Sequence, residues 1–296
     1  MDLKSYLDHR VNQVDKALDA VLPKESTLPA GLHQAMRYSI FAGGKRIRPV
    51  LMIAACEAVG GDPGRVMPAA CAMEMIHTYS LIHDDLPAMD DDDFRRGRPT
   101  NHKVFGEATA ILAGDALLTE AFILLSNPDA CRGIDPEIIR RVIHTIARCA
   151  GSLGMVGGQV VDMESEGKTI DFPTLEYIHT HKTGALILAA IQAGALIGGA
   201  NDAAFDSLTR YGEAAGLAFQ VADDILDVVG DQAQLGKDVG SDQARGKATY
   251  VSLLGVEEAR RRARELKDLA ISALDPFGER AEPLRSIANY IVDRSS

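Results

Sequence analysis

The sequence predicts an all-α fold, a single large bundle of about ten or more helices. Three observations predict it. Apolar residues recur at helical spacing nearly throughout the 296 residues. Aromatic residues make up only 5% and Trp is absent, which disfavours a β-rich core. No stretch shows the period-two alternation of a strand. No linker, repeat or low-complexity tract divides the chain, so residues 1–296 read as one domain.

Leu3, Leu7, Val11, Val14 and Leu18 line one face of a first helix, which Pro23 ends. Breakers then separate the segments: residues 60–64, Asn127-Pro128, Asp135-Pro136, Asp171-Phe172-Pro173, residues 198–202 and the polar stretch 230–246. Residues 69–83 look helical, with Ala69, Ala72, Met73 and Ile76 on one stripe. The Ala-rich runs 185–195 and 214–222 suit close helix packing. Ala259, Ala263, Leu266, Ala270 and Ala273 repeat the helical pattern near the end, with Glu258 and Arg262 at i, i+4 on the opposite face.

A net charge of −11 and a pI near 5.2 argue against nucleic acid as a partner. The first residues are too polar for a secretory signal. Residues 184–200 are the best membrane candidate, yet they are short and hold Gln192, so a buried helix is expected and no membrane span. Cys56, Cys71, Cys131 and Cys149 lack metal or redox spacing and read as reduced thiols of a cytoplasmic protein.

Two acidic clusters end apolar helical runs: Asp84-Asp85-Leu86-Pro87-Ala88-Met89-Asp90 and Asp223-Asp224-Ile225-Leu226-Asp227. Such carboxylates are costly at the edge of a core unless something positive binds them, and an all-oxygen donor set favours magnesium. A lone acidic run is usually a solvated face or a helix cap, but two on apolar helices are harder to dismiss. Asp223 and Asp227 lie one turn apart on one face, with Asp224 to the side. Asp84 and Asp90 lie about 240° apart on an ideal helix. They can converge only if the helix ends, and Pro87 gives it a reason to end. Asp90 to Asp93 would then fold back over the mouth as a loop whose adjacent charges call for a cation. A calcium loop fails there, because the EF-hand Gly and Glu are missing.

Basic residues stand where an anion site needs them: Lys45 and Arg48 in Gly43-Gly44-Lys45-Arg46-Ile47-Arg48-Pro49, then Arg95-Arg96, Lys182-Thr183, Gly236-Lys237-Asp238 and Gly246-Lys247. Together with Phe219-Gln220-Val221-Ala222-Asp223-Asp224, these motifs resemble the full set of the trans-isoprenyl diphosphate synthases, in order from about residue 30 to 250. The likeness is nearest to bacterial farnesyl diphosphate synthase, in the four residues between Asp85 and Asp90. The tail after Gly255 carries little of it.

The resemblance implies an isoprenoid-synthase-like bundle around a central apolar cavity. It implies electrophilic alkylation of isopentenyl diphosphate by dimethylallyl and then geranyl diphosphate, giving farnesyl diphosphate. By family likeness Asp84, Asp90 and Asp223 hold three magnesium ions, with Asp85, Asp224 and Asp227 close by. Arg95, Lys182, Thr183, Gln220 and Lys237 match contacts to the allylic substrate, with Lys247 a further candidate, and Lys182 and Lys237 count with the aspartates as catalytic. Lys45, Arg48, His77 and Arg96 match the metal-free site for isopentenyl diphosphate. Without the likeness His77 would read as a core histidine; His83 reads as structural. Tyr79 and Ser80 lie one turn below Asp84, where a growing prenyl chain must pass, and are expected to set its length. A geranyl or geranylgeranyl diphosphate synthase, a class I terpene cyclase and a non-catalytic synthase subunit are the rivals. A homodimer is expected.

Overall fold

The structure, a computed structural model, describes residues 2–229 and 248–293. Asp2 accepts hydrogen bonds from the amides of Lys4 and Ser5 and so opens α1 (Leu3–Val21). α2 (Ala30–Ile40) and α3 (Ile47–Ala58) follow. The breaker at 60–64 becomes an N-cap: Asp62 accepts from Gly64, and Pro63 takes the first position of α4 (Pro63–Asp84). A two-residue hairpin, β1 (Phe94–Arg95) with β2 (Arg98–Pro99), comes next. Its turn holds Arg96 and Gly97 at positive φ. Strands of two residues are too short for alternation to register, so the period-two test passes over them.

α5 (Asn101–Phe105), α6 (Glu107–Ser126), α7 (Pro136–Ala150), α8 (Met155–Ser165) and α9 (Phe172–Ile178) continue the chain. Asp135 and Asp171 cap α7 and α9, so the Asp-and-Pro breakers of the sequence are helix starts. A π-helical segment, His179–Gly184, runs directly into α10 (Ala185–Gly198). The long α11 spans Asp202–Val229. Beyond it lie α12 (Tyr250–Leu254), α13 (Val256–Ser272), a 3₁₀ stretch Asp275–Ala281 and α14 (Glu282–Asp293).

α3 and α10 form the spine. Each gives one face to a cluster with α4, α6 and α7, and the other to a cluster with α11, α13 and α14. Met52 and Leu186 belong to the first, Leu51 and Ile187 to the second. The two helices touch closely at Gly194, where a methyl group would come 2.1 Å from the Met52 carbonyl oxygen.

Two sequence expectations are corrected. The one described helix long and apolar enough to cross a membrane is Glu107–Ser126, not residues 184–200. α10 has only 14 residues and is buried almost all round, whereas α6 leaves Ile111, Leu112 and Ile123 exposed. Glu258 pairs with Arg261 one turn on, not with Arg262. Arg262 instead bridges Glu176 of α9 at 3.4 Å and Glu265 one turn on at 3.9 Å, so its charge is taken by carboxylates other than Glu258.

Candidate active site

α4 ends at Asp84, and the chain turns back at once. The amide of Asp90 donates to the Asp84 carbonyl at 2.8 Å, that of Asp91 to Leu86 at 3.1 Å and that of Asp92 to Asp85 at 3.2 Å. This closes the 240° gap: two residues that an ideal helix would separate are joined through the backbone. Burial pushes the Asp84 carboxyl up to about 6. Asp90 and Asp85 add to that shift, while Lys182 and Arg95 oppose it. Burial likewise raises Asp85 against the pull of Arg95. Burial is the larger effect on both, and the nearby cations offset only part of it.

Lys182 reaches the cluster from the π-helical segment. Its Nζ donates to Asp162 Oδ2 of α8 at 2.6 Å. Burial alone would lower its pKa; the charges of Asp162, Asp84 and Asp90 more than offset this and hold it above the usual lysine value. Thr183 follows it, half-buried.

The basic groups gather around His77 of α4. Burial holds this imidazole well below its ordinary pKa, and Arg48, Arg96, Arg95 and Arg46 push the same way. Two of these arginines are committed. Arg46 is 3% exposed and bonds Asp15 and Glu74. Arg95 grips Asp85 through Nε at 2.7 Å and leans on Asp92 at 3.5 Å. Arg48 is different. Burial lowers it to about 10, against the pull of Glu74 and Asp223, and its Nε is buried with no hydrogen-bond partner. A buried, unanswered guanidinium N–H fits an anion. Arg96 donates to the Gly43 carbonyl, and its guanidinium lies so near Gly44 that a Cβ there would sit 2.5 Å from Nη1. Lys45, in the same loop, is exposed.

On α11, Asp223 is half-buried and Asp227 only 1% exposed, one turn apart. The charge of Asp223 acts on Arg48, so the second cluster faces the basic group. Asp224 turns elsewhere. Its Oδ2 accepts from His179 Nε2 at 3.0 Å and from the Tyr250 amide at 2.8 Å. Gln220 approaches the other His179 ring nitrogen at 3.5 Å. Asp224 and Gln220 thus brace the π-helical segment. Lys237 and Lys247 lie outside the described residues.

Tyr79 is 7% exposed in the cluster that α4 shares with α6, its ring edge-on to His83 at 5.7 Å. The charge of Asp84 reaches it. Ser80 is half-buried and donates to the His77 carbonyl. His83 holds the Ile111 carbonyl of α6 at 3.0 Å, a structural contact. One cleft of about 990 Å³ lies between α7, α10, α11 and α13, lined by His144, Arg148, Gln192 and Arg210. It contains none of the expected site residues and is not the expected central cavity.

Sequence reasoning missed Asp162 and Gln159 on α8. Both amide atoms of Gln159 are buried without partners, one turn before Asp162. The signal was present as two polar groups three residues apart in a short apolar helix.

Comparison with known proteins places this arrangement. The chain is 51% identical over 298 residues to a chloroplastic geranylgeranyl pyrophosphate synthase of Catharanthus roseus, covering 100% of this chain and 82% of the relative. It is 52% identical over 260 residues to a farnesyl diphosphate synthase of Geobacillus stearothermophilus, covering 88% and 87%. The crystal structure of an FPP/GFPP synthase from Zymomonas mobilis superposes with a TM-score of 0.87 at 41% identity, covering 98% of this chain and 99% of that one. The "Polyprenyl synthetase" family profile matches residues 29–276, past residue 250, where the run of motifs ends. With most of its length matched, the chain belongs to the polyprenyl synthetase family.

Proposed function

We propose that this prenyltransferase is magnesium-dependent and joins isopentenyl diphosphate to dimethylallyl and then geranyl diphosphate, giving farnesyl diphosphate and diphosphate. One observation carries the reading: Asp84, its carboxyl raised by burial and by the neighbouring charge of Asp90, stands beside Lys182. A separate basic group around His77 holds Arg48 with an unanswered N–H. One polarity suits metal ions on a diphosphate; the other suits a second, metal-free diphosphate.

The donor set fits magnesium, being all oxygen. Asp84, Asp90 and Asp223 would hold the ions, three in the family pattern. When bound, the metal supplies charge that favours departure of the allylic diphosphate. The chain's own groups do the rest. Lys182, fixed by Asp162, meets the developing negative charge. Lys45, Arg48, Arg96 and neutral His77 orient isopentenyl diphosphate. Arg95, Thr183, Gln220, Lys237 and Lys247 complete the allylic side. The buried apolar residues that α4 shares with α6 below Asp84 would keep water from the allylic cation. None of these side chains is an evident base for the final proton, which the departing diphosphate can take.

Tyr79 supports a fifteen-carbon product, because a buried aromatic ring one turn below Asp84 closes the path of a longer chain. The relative named for geranylgeranyl pyrophosphate supports twenty carbons as the second reading. The test is to feed dimethylallyl and isopentenyl diphosphates with magnesium, remove the phosphates and chromatograph the alcohols. Farnesol supports the proposal and geranylgeraniol the second reading. A cyclic hydrocarbon in place of linear alcohols, or no turnover, would overturn both.

We further infer one domain, since α3 and α10 serve both apolar clusters. The exposed apolar residues of α6 support a homodimer seated on that helix. Four free thiols suit a cytoplasmic setting.

A further inference from the structure

Asp91, Asp93 and His102 take no part in the site described above. Each nevertheless places a ligand atom within 4.8 Å of the other two. The hairpin folds the acidic loop onto the start of α5 and so brings them together. Thr100 orders the histidine. Its Oγ1 gives its proton to the Asp92 carbonyl at 2.7 Å and is left to accept from His102 Nδ1 at 3.3 Å. With Nδ1 donating to that oxygen, Nε2 keeps its lone pair for a cation. His102 is only 6% exposed, and Nε2 is buried with no hydrogen-bond partner. An acceptor left unanswered in the interior is costly. A neutral imidazole whose other nitrogen is held by an oxygen is also the form in which histidine binds metals.

We propose that Asp91, Asp93 and His102 form a further divalent-cation site, distinct from the carboxylates that face the diphosphates. Two carboxylates and one imidazole favour zinc or manganese over magnesium, whose preferred ligands are all oxygen. Lys103 occupies part of the site, with Nζ 2.6 Å from Asp93 Oδ1. Its ammonium competes with the cation for that carboxylate. A bound ion would tie the loop after Asp90 to α5.

The test uses the full-length protein, stripped with chelator and free of diphosphates, titrated calorimetrically with zinc in the presence of excess magnesium. One zinc per chain is expected. Asp91→Asn, at an exposed position with a left-handed backbone that Asn also tolerates, should weaken zinc at least tenfold, and His102→Gln should do the same. Lys103→Ala should tighten it. Asp84→Asn should leave it unchanged. Zinc affinity unaltered by both Asp91→Asn and His102→Gln would overturn the proposal, as would its loss in Asp84→Asn, which would move the ion to the diphosphate mouth.

Discussion

Lys182 of the π-helical segment and Asp162 of α8 form an ion pair at 2.6 Å, with side chains 24% and 14% exposed. The pair fixes an ammonium whose other neighbours are Asp84 and Asp90. Asp162 therefore sets where positive charge meets the acidic mouth.

Asp162→Asn should lower kcat about ten- to a hundredfold, the usual effect of losing a residue that orients a reacting group. The KM for isopentenyl diphosphate should stay put. Asp162 helps hold the Lys182 pKa above normal, so its removal should shift the alkaline limb of the pH–kcat profile to lower pH. A fall in kcat with an unmoved limb would make Asp162 merely structural.

Asp84→Ala or Asp223→Ala should cut turnover by orders of magnitude with the helical circular dichroism intact. In the metal-free protein Asp84 titrates near 6, above the ordinary 3.8. The folded state then holds the proton more tightly than the unfolded one, so Asp84 lowers stability as pH rises through that window. Asp84→Asn should flatten the pH dependence of urea unfolding between those values. Near wild-type turnover in either alanine variant would defeat the metal assignment.

The two diphosphates should separate by mutation. Arg48→Ala or Lys45→Ala should raise the KM for isopentenyl diphosphate, and Lys237→Ala that for the allylic substrate. Equal effects on both substrates would argue against separate sites.

Product length should respond in opposite directions at adjacent residues. Tyr79→Ala should open the floor to longer chains, and Ser80→Phe should raise it toward geranyl diphosphate. Chromatography of the dephosphorylated alcohols decides, and unchanged lengths in both variants would place the stop elsewhere.

Arg46 and Glu74 form a buried ion pair at 2.7 Å, with side chains 1% and 2% exposed. Glu74→Ala strands the guanidinium and should cost about 3–5 kcal/mol in denaturant unfolding. A loss below about 1 kcal/mol, the range of surface pairs, would mean that Asp15 alone suffices.

Much of this was legible in the sequence because helices announce themselves locally. Leu3 to Leu18 show the period of α1, and the Asp-Pro pair at 135–136 marks a cap that the fold uses as such. Both aspartate clusters were legible because carboxylates at the end of an apolar run need a partner. What stayed hidden depends on contacts distant along the chain. Asp162 gains meaning only when α8 packs on the π-helical segment, 20 residues away in Lys182. The bracing of His179 by Asp224 spans 45 residues, and no local pattern encodes it. The solvent-facing side of α6 was missed because Asp115 and Glu120 interrupt its apolar run, which drew attention to the smoother residues 184–200.

The π-helical turn between α9 and α10 acts as a change of phase. Seven residues separate Leu175 from Lys182, about 700° on a regular helix, which would bring the lysine within about 20° of Leu175. Leu175 is 1% exposed and belongs to the core. The wider π-helical turn contains Lys182 and winds less per residue, so the lysine falls short of that face. Lys182 thereby leaves the apolar side and meets Asp162, while Leu175 and Ile178 stay buried. One stretch of wider turn makes a heptad position that an unbroken helix would bury into one that faces charge.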